Sequence, residues 1–153
     1  MKILFLFLAG ILACVPAQAT DLSALKPAYN AEYGYLEGSY TLVGKKEGGN
    51  DTYTGSLTLS MRGEGMVAER RIAGQPLVTG TALIKPLLEN SRLLVITYPP
   101  GTVPQAVHYL MISDPDNYPL LAGYAVNEQG RAAETAPGLE TLFYDHAATH
   151  ADP

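Results

Sequence analysis

Along Tyr53-Thr54-Gly55-Ser56-Leu57-Thr58-Leu59-Ser60-Met61, apolar residues and glycine alternate one for one with serine and threonine. A period of two places successive side chains on opposite faces of an extended strand, so one face is buried and the other wet. An amphipathic helix does not fit, because its apolar positions recur at three and four. The same alternation starts near Tyr35, where Leu36, Gly38, Tyr40 and Leu42 share a face against Glu37, Ser39 and Thr41. Between these two runs Gly48-Gly49-Asn50 supplies a turn, and Gly63-Glu64-Gly65 closes the second run as a hairpin. Glycine belongs in both places because tight turns need positive φ.

The pattern continues through residues 66–73, turned by Gly74-Gln75-Pro76, and through a fourth strand with Val78, Gly80, Ala82 and Ile84 on one face. A looser piece, 86–90, precedes a fifth strand at 92–98. There Leu94, Ile96 and Tyr98 alternate with Leu93, Val95 and Thr97, an apolar series on both faces that predicts cover on the outer side too. Pro99-Pro100-Gly101 ends it. Val107, Tyr109 and Met111 mark a sixth strand, stopped by Asp114-Pro115-Asp116-Asn117; 119–126 and 138–144 are the seventh and eighth. Short strands with turn signals every eight to twelve residues, and no helix-length pattern between them, predict an all-β fold. It is an antiparallel meander of about eight strands closing into a barrel, with an open sheet as the alternative. Closure removes exposed strand edges, and a barrel of that size either fills with side chains or holds one small ligand.

Composition adds a compartment. Lys2, the apolar run 3–13 and Ala17-Gln18-Ala19 have the order of a secretory signal with its cleavage site. The run is too short to span a bilayer, which takes roughly 20 residues. The expected plan is a signal peptide over 1–19, an arm over 20–33, one barrel domain over 34–145 and a C-terminal tail over 146–153. A periplasmic or secreted location follows. Cys14, the one cysteine of the chain, lies inside the signal. Cleavage after Ala19 removes it and with it disulfide and thiolate chemistry. The alternative reads Ile11-Leu12-Ala13-Cys14 as a lipid-attachment site, which the bulky Leu12 disfavours. The net charge of −5, with basic residues scattered except for Lys45-Lys46 and Arg70-Arg71, does not draw phosphate backbones, so nucleic acid is not an expected partner.

The run Gly38-x-Tyr40, Gly44, Tyr53-Thr54-Gly55-x-Leu57-x-Leu59, with Ile72-x-Gly74, Val78-x-Gly80-x-Ala82-x-Ile84, Leu94-x-Ile96-x-Tyr98, Val107-x-Tyr109 and Gly138-Leu139-Glu140-Thr141-Leu142, resembles small secreted bacterial proteins with a calycin-like, lipocalin-like β-barrel. The resemblance covers about 34–144 and implies a barrel and an exported location. Members often carry tryptophan in the third and seventh strands, where this chain has Arg70 and Ala125 and no tryptophan anywhere. The family is mostly of unknown function, so no catalytic residue is carried over.

The chemistry-bearing candidates are few. Arg70 shares parity with Met66, Ala68 and Ile72, so it points inward where they do. A guanidinium in a barrel requires an anion or several acceptors, because an unpaired buried charge costs several kcal/mol. That acceptor is a ligand's carboxylate, or else Glu140, which shares parity with Leu142 and Tyr144; a position at the rim in reach of water is the third option. Tyr40, Tyr53, Tyr98 and Tyr109 also fall on inward faces, where they line a pocket or fill a core and bond backbone carbonyls. Arg70, Tyr40, Tyr53, Tyr98, Tyr109 and Glu140 are therefore the candidate ligand-binding residues. Tyr144-Asp145-His146-x-x-x-His150-x-Asp152 contains metal-binding residue types without a supporting third histidine or a cysteine, so no metal is assigned. His108 sits on the outward parity. There is no G-x-S-x-G and no phosphate-binding glycine loop, the mature chain has no reliable cysteine, and two of the three histidines lie in the tail, so neither catalysis nor a cofactor is expected. The expectation is a binding protein holding a small apolar or amphipathic ligand inside the barrel. The alternative is a protein-binding module or adhesin with a filled core, recognising its partner through loops 45–50, 99–104 and 127–137.

Overall fold

A computed structural model describes residues 31–88, 91–111, 120–127 and 131–146. The signal region, most of the expected arm, the Asp114–Asn117 turn residues, the middle of the 127–137 loop and the end of the tail lie outside these.

The alternating stretches form eight strands: β1 (Gly38–Lys45), β2 (Thr52–Arg62), β3 (Gly65–Ile72), β4 (Val78–Leu88), β5 (Ser91–Thr97), β6 (Ala106–Met111), β7 (Leu120–Val126) and β8 (Leu139–Tyr144). Each pairs antiparallel with the next, and β8 returns to β1 to close the barrel. The fold is the all-β, eight-stranded antiparallel meander barrel that the pattern predicts. The period of two survives intact: in β3, Met66, Ala68, Arg70 and Ile72 are all buried while their alternates are not. In β2, Leu57 and Leu59 are buried between more exposed neighbours. On β5, Val95 is buried from the outer side, as its doubly apolar pattern predicts.

Two boundaries differ from the sequence expectation. Tyr35 and Leu36 do not begin a strand but end a short helix, α1 (Ala31–Leu36). Tyr33 and Leu36, three apart and hence on one helical face, are both buried in the core. Leu36 satisfies the inward parity read from the strand pattern by a different route. Gly38, with φ of 148°, takes the chain from helix into β1 at an angle that side-chain-bearing residues rarely adopt, and a Cβ there would fall 2.5 Å from the Tyr144 ring. Second, the piece expected to be loose at 86–90 belongs to β4 as far as Leu88. The pairing with β5 shifts register between Pro86 and Leu88, since proline has no N–H to give to the ladder.

The helix closes one end of the barrel. The Tyr40 hydroxyl donates to the Leu36 carbonyl (2.7 Å), Ile84 N–H donates to the Tyr33 hydroxyl (3.2 Å), and Met61 N–H donates to the Glu37 carboxylate (2.6 Å). Beneath it the interior is packed by Leu42, Leu57, Leu59, Met66, Leu94 and Leu142. At the opposite end lie the β1–β2, β3–β4 and β5–β6 connections. Gly48 N–H donates to the Ala136 carbonyl (2.9 Å), tying the first of these to the segment before β8. On the outer wall Phe143 faces Leu120 and Leu139 faces Tyr124 across β7 and β8, an apolar strip with exposures of 47, 53, 39 and 54%. No helix among the described residues is long and apolar enough to cross a membrane.

Candidate functional site: a polar floor beneath an open barrel end

The strand pairing aligns five inward residues in one row. Tyr53 of β2 stands beside Gly44 of β1, Gly44 beside Glu140 of β8, Glu140 beside Gly123 of β7, and Gly123 beside Tyr109 of β6. The glycines decide what this row can do. A Cβ on Gly44 would lie 2.2 Å from the Tyr53 ring, and one on Gly123 would lie 2.8 Å from the Tyr109 ring. Each tyrosine thus lies over the space of a missing side chain and reaches Glu140 from its own side. The Tyr53 hydroxyl donates to Glu140 Oε1 (2.6 Å) and the Tyr109 hydroxyl to Oε2 (2.5 Å).

Arg70 of β3 completes the cluster through the lumen. Its Nη2 donates to Glu140 Oε1 in a buried ion pair and also to the Tyr53 hydroxyl (3.3 Å). Arg70 is 3% and Glu140 1% exposed. The guanidinium lies over the Tyr53 and Tyr98 rings, its Cζ 5.5 and 5.6 Å from their centroids. Three donors on two carboxylate oxygens make Glu140 a satisfied buried anion, which is the condition under which a buried ion pair is tolerated. Two polar atoms are left over: Arg70 Nε and the Tyr98 hydroxyl are buried and have no partner among the described residues.

Burial works against the charge on Arg70, but Glu140 and then the neighbouring tyrosines outweigh it and hold the guanidinium above its ordinary value. Burial first, and then the charge of Glu140, pushes the hydroxyls of Tyr53, Tyr98 and Tyr109 well above the usual phenol range. The hydroxyls of Tyr53 and Tyr109 donate to Glu140, and all three release their protons less readily than a free phenol.

Above this floor the barrel is hollow. A cavity of about 680 Å³ opens at the end opposite α1. Tyr53 and Arg70 form its base; Ile72, Val103, Pro104, Ala125 and Val126 give apolar walls; Lys45, Lys46, Glu47, Gln75, Gln105 and Asn127 stand round the rim. Gly138 permits Ala125 to pack closely, since a Cβ there would come within 2.9 Å of the alanine's own.

Of the candidate residues, Arg70, Glu140, Tyr53, Tyr98 and Tyr109 come together in this one cluster. Tyr40 does not. It lies at the closed end, bonded to the Leu36 carbonyl and edge-on to Tyr144 at 5.3 Å, where it fills core and fastens α1. For Arg70 the acceptor is Glu140, the internal pairing that shared parity allowed, so its charge is not free for a ligand's carboxylate. His108 lies on the outer wall, as its parity predicts, half-buried and lowered by burial and then by the charge of Lys85. Among the described residues no group of three histidine, cysteine, aspartate or glutamate side chains is placed to hold a metal. His146 stacks edge-on against Tyr144, while His150 and Asp152 lie outside the described residues. The lining from Ile72, Gln75, Gln105, Ala125, Val126 and Gly138 was not singled out from sequence. Their common signal is position: each lies at or just beyond the end of a strand on the same side of the barrel.

No protein-family model matches the chain, and no curated protein matches it. Among solved structures it is similar to two designed proteins. One is a redesigned β-barrel, 16% identical over 77% of this chain and 98% of its own, with a TM-score of 0.48. The other is a de novo designed fluorescence-activating β-barrel, 11% identical over 76% of this chain and 100% of its own, with a TM-score of 0.47. At these values the likeness is one of architecture and carries no argument about what this chain binds.

Proposed function

We propose that this chain is an exported, non-catalytic binding protein that holds one small apolar or amphipathic ligand in the open end of its barrel. The observation that carries the reading is the cavity of about 680 Å³ at the end opposite the α1 plug. Its size falls within the roughly 300–1,000 Å³ of small-molecule sites, and its apolar walls over a few fixed polar groups match their usual chemistry. The filled half of the interior holds the base rigid; the hollow half takes the ligand. Loops 45–50 and 99–104, which a protein-binding module would use for recognition, contribute Lys45, Lys46, Glu47, Gly101, Thr102, Val103 and Pro104 to the cavity wall instead. Export is supported by Lys2, the apolar run 3–13 and Ala17-Gln18-Ala19. The absence of catalysis is supported by a carboxylate whose oxygens are occupied and by tyrosines that hold their protons.

A neutral solvatochromic probe, phenylnaphthylamine, tests the site. Saturable binding at one site is expected, weakened at least tenfold in Ala125→Trp and in Gln105→Trp, each of which places an indole in the cavity. Circular dichroism establishes that the variants remain folded. Absence of saturable binding, or unchanged binding in both folded variants, overturns the reading. Native mass spectrometry of the exported protein reports the rest: a mature chain beginning at Thr20, with no lipid on Cys14, is expected.

A further inference from the structure

Resting on the cavity reading above, the geometry points to a ligand that enters with a neutral hydrogen-bond acceptor, a carbonyl group, foremost, and to a floor that discriminates against a carboxylate at that end. The floor is balanced in charge and unbalanced in hydrogen bonds. Arg70 and Glu140 cancel one another at the cavity base, both buried and in direct contact. A second carboxylate brought down to Arg70 would sit beside Glu140 where little water screens the repulsion. It would gain no unpaired cation in return.

Donors, by contrast, are left without partners. The hydroxyls of Tyr53 and Tyr109 and one nitrogen of Arg70 all converge on the two oxygens of Glu140. Among the described residues the hydrogen bonds of Arg70 leave from Nη2, and its buried Nε has no partner. The Tyr98 hydroxyl, whose ring packs against the same guanidinium, is likewise buried and unpartnered. Buried donors left unpaired are costly, and an acceptor that arrives without charge relieves that cost without creating a second anion. Arg70 belongs to the cavity lining, so it is the group such an acceptor meets. The Tyr53 and Tyr98 rings pack against the guanidinium, its Cζ 5.5 and 5.6 Å from their centroids.

Competition against bound phenylnaphthylamine tests this with two molecules of matched chain length, methyl octyl ketone and decanoate. Near neutral pH the ketone is expected to displace the probe from the wild-type protein at a concentration at least tenfold below that of decanoate. In Glu140→Gln, which leaves Arg70 with an unbalanced charge, that preference is expected to shrink or reverse, with decanoate gaining. If Glu140→Gln does not fold, the wild-type ratio stands as the test, joined by the infrared carbonyl stretch of the bound ketone, expected to move to lower wavenumber. Probe binding with decanoate equal to or better than the ketone overturns this inference alone. No saturable probe binding overturns the cavity reading, and this inference with it.

Discussion

Gly44→Ala isolates the feature that lets the polar floor exist. The added Cβ would lie 2.2 Å from Tyr53 Cζ and 2.6 Å from its hydroxyl, whereas ordinary contact begins near 3.4 Å. The ring therefore has to withdraw by about 1.2 Å, and the cavity beside it gives it somewhere to go. Strain is thereby relieved, and the main loss is the 2.6 Å hydrogen bond from Tyr53 to Glu140. A hydrogen bond to a charged group contributes about 1.5–3 kcal/mol. Alanine is favoured over glycine within a strand by about 0.5–1 kcal/mol, which offsets part of the loss. The expected net destabilisation is about 1–2 kcal/mol, a visible share of the ~5–15 kcal/mol that holds a domain folded. In a Tyr53→Ala background the clash and the bond are both gone, so the same substitution should be stabilising by about 0.5–1 kcal/mol. Urea unfolding followed by circular dichroism, run on the four members of this cycle, measures both values. A Gly44→Ala protein as stable as its parent, with Tyr53 present, would refute the reasoning.

Glu140→Gln leaves the Arg70 charge buried without its counterion and should cost about 3–5 kcal/mol, whereas the double replacement Arg70→Met with Glu140→Leu should recover most of that. Urea unfolding of single and double variants checks it, and a double variant weaker than the single contradicts the buried-pair account. At alkaline pH the tyrosines set the response. Burial raises Tyr40, Tyr98 and Tyr109 above their ordinary value of 10.0, so above about pH 10 the folded chain binds more protons than the unfolded one. Stability is complete below pH 10 and falls above it, by about 1.4 kcal/mol per pH unit for each of these buried groups. Tyrosinate absorbance at alkaline pH should show that these tyrosines ionise only as the barrel unfolds; ionisation with the circular dichroism intact would count against the burial described.

The alternation of Tyr53 to Met61 and its neighbours determined the strands and their inward faces, because a period of two is a local property that each segment carries alone; it left a closed barrel and an open sheet both available. It also placed Arg70 and Glu140 inside, and therefore made their pairing one of a few outcomes open to a buried charge. It did not reveal α1, whose two buried residues, Tyr33 and Leu36, are too few to show a helical period. Nor did it distinguish Tyr40 from Tyr53, which share a strand parity but lie at opposite ends of the barrel. The β1–β2 register sets their different heights, with Tyr40 opposite Leu57 and Tyr53 opposite Gly44. The register of β8 on β1, a contact between residues about 100 apart in sequence, decides which of them meets Glu140. The same register sets Glu140 between Gly44 and Gly123 and brings two tyrosines over the glycines to meet it. Sequence thus determined which side chains face inward. Tertiary structure alone decided which of them meet, because closing a barrel fixes at once the heights of strands that local pattern leaves free to slide.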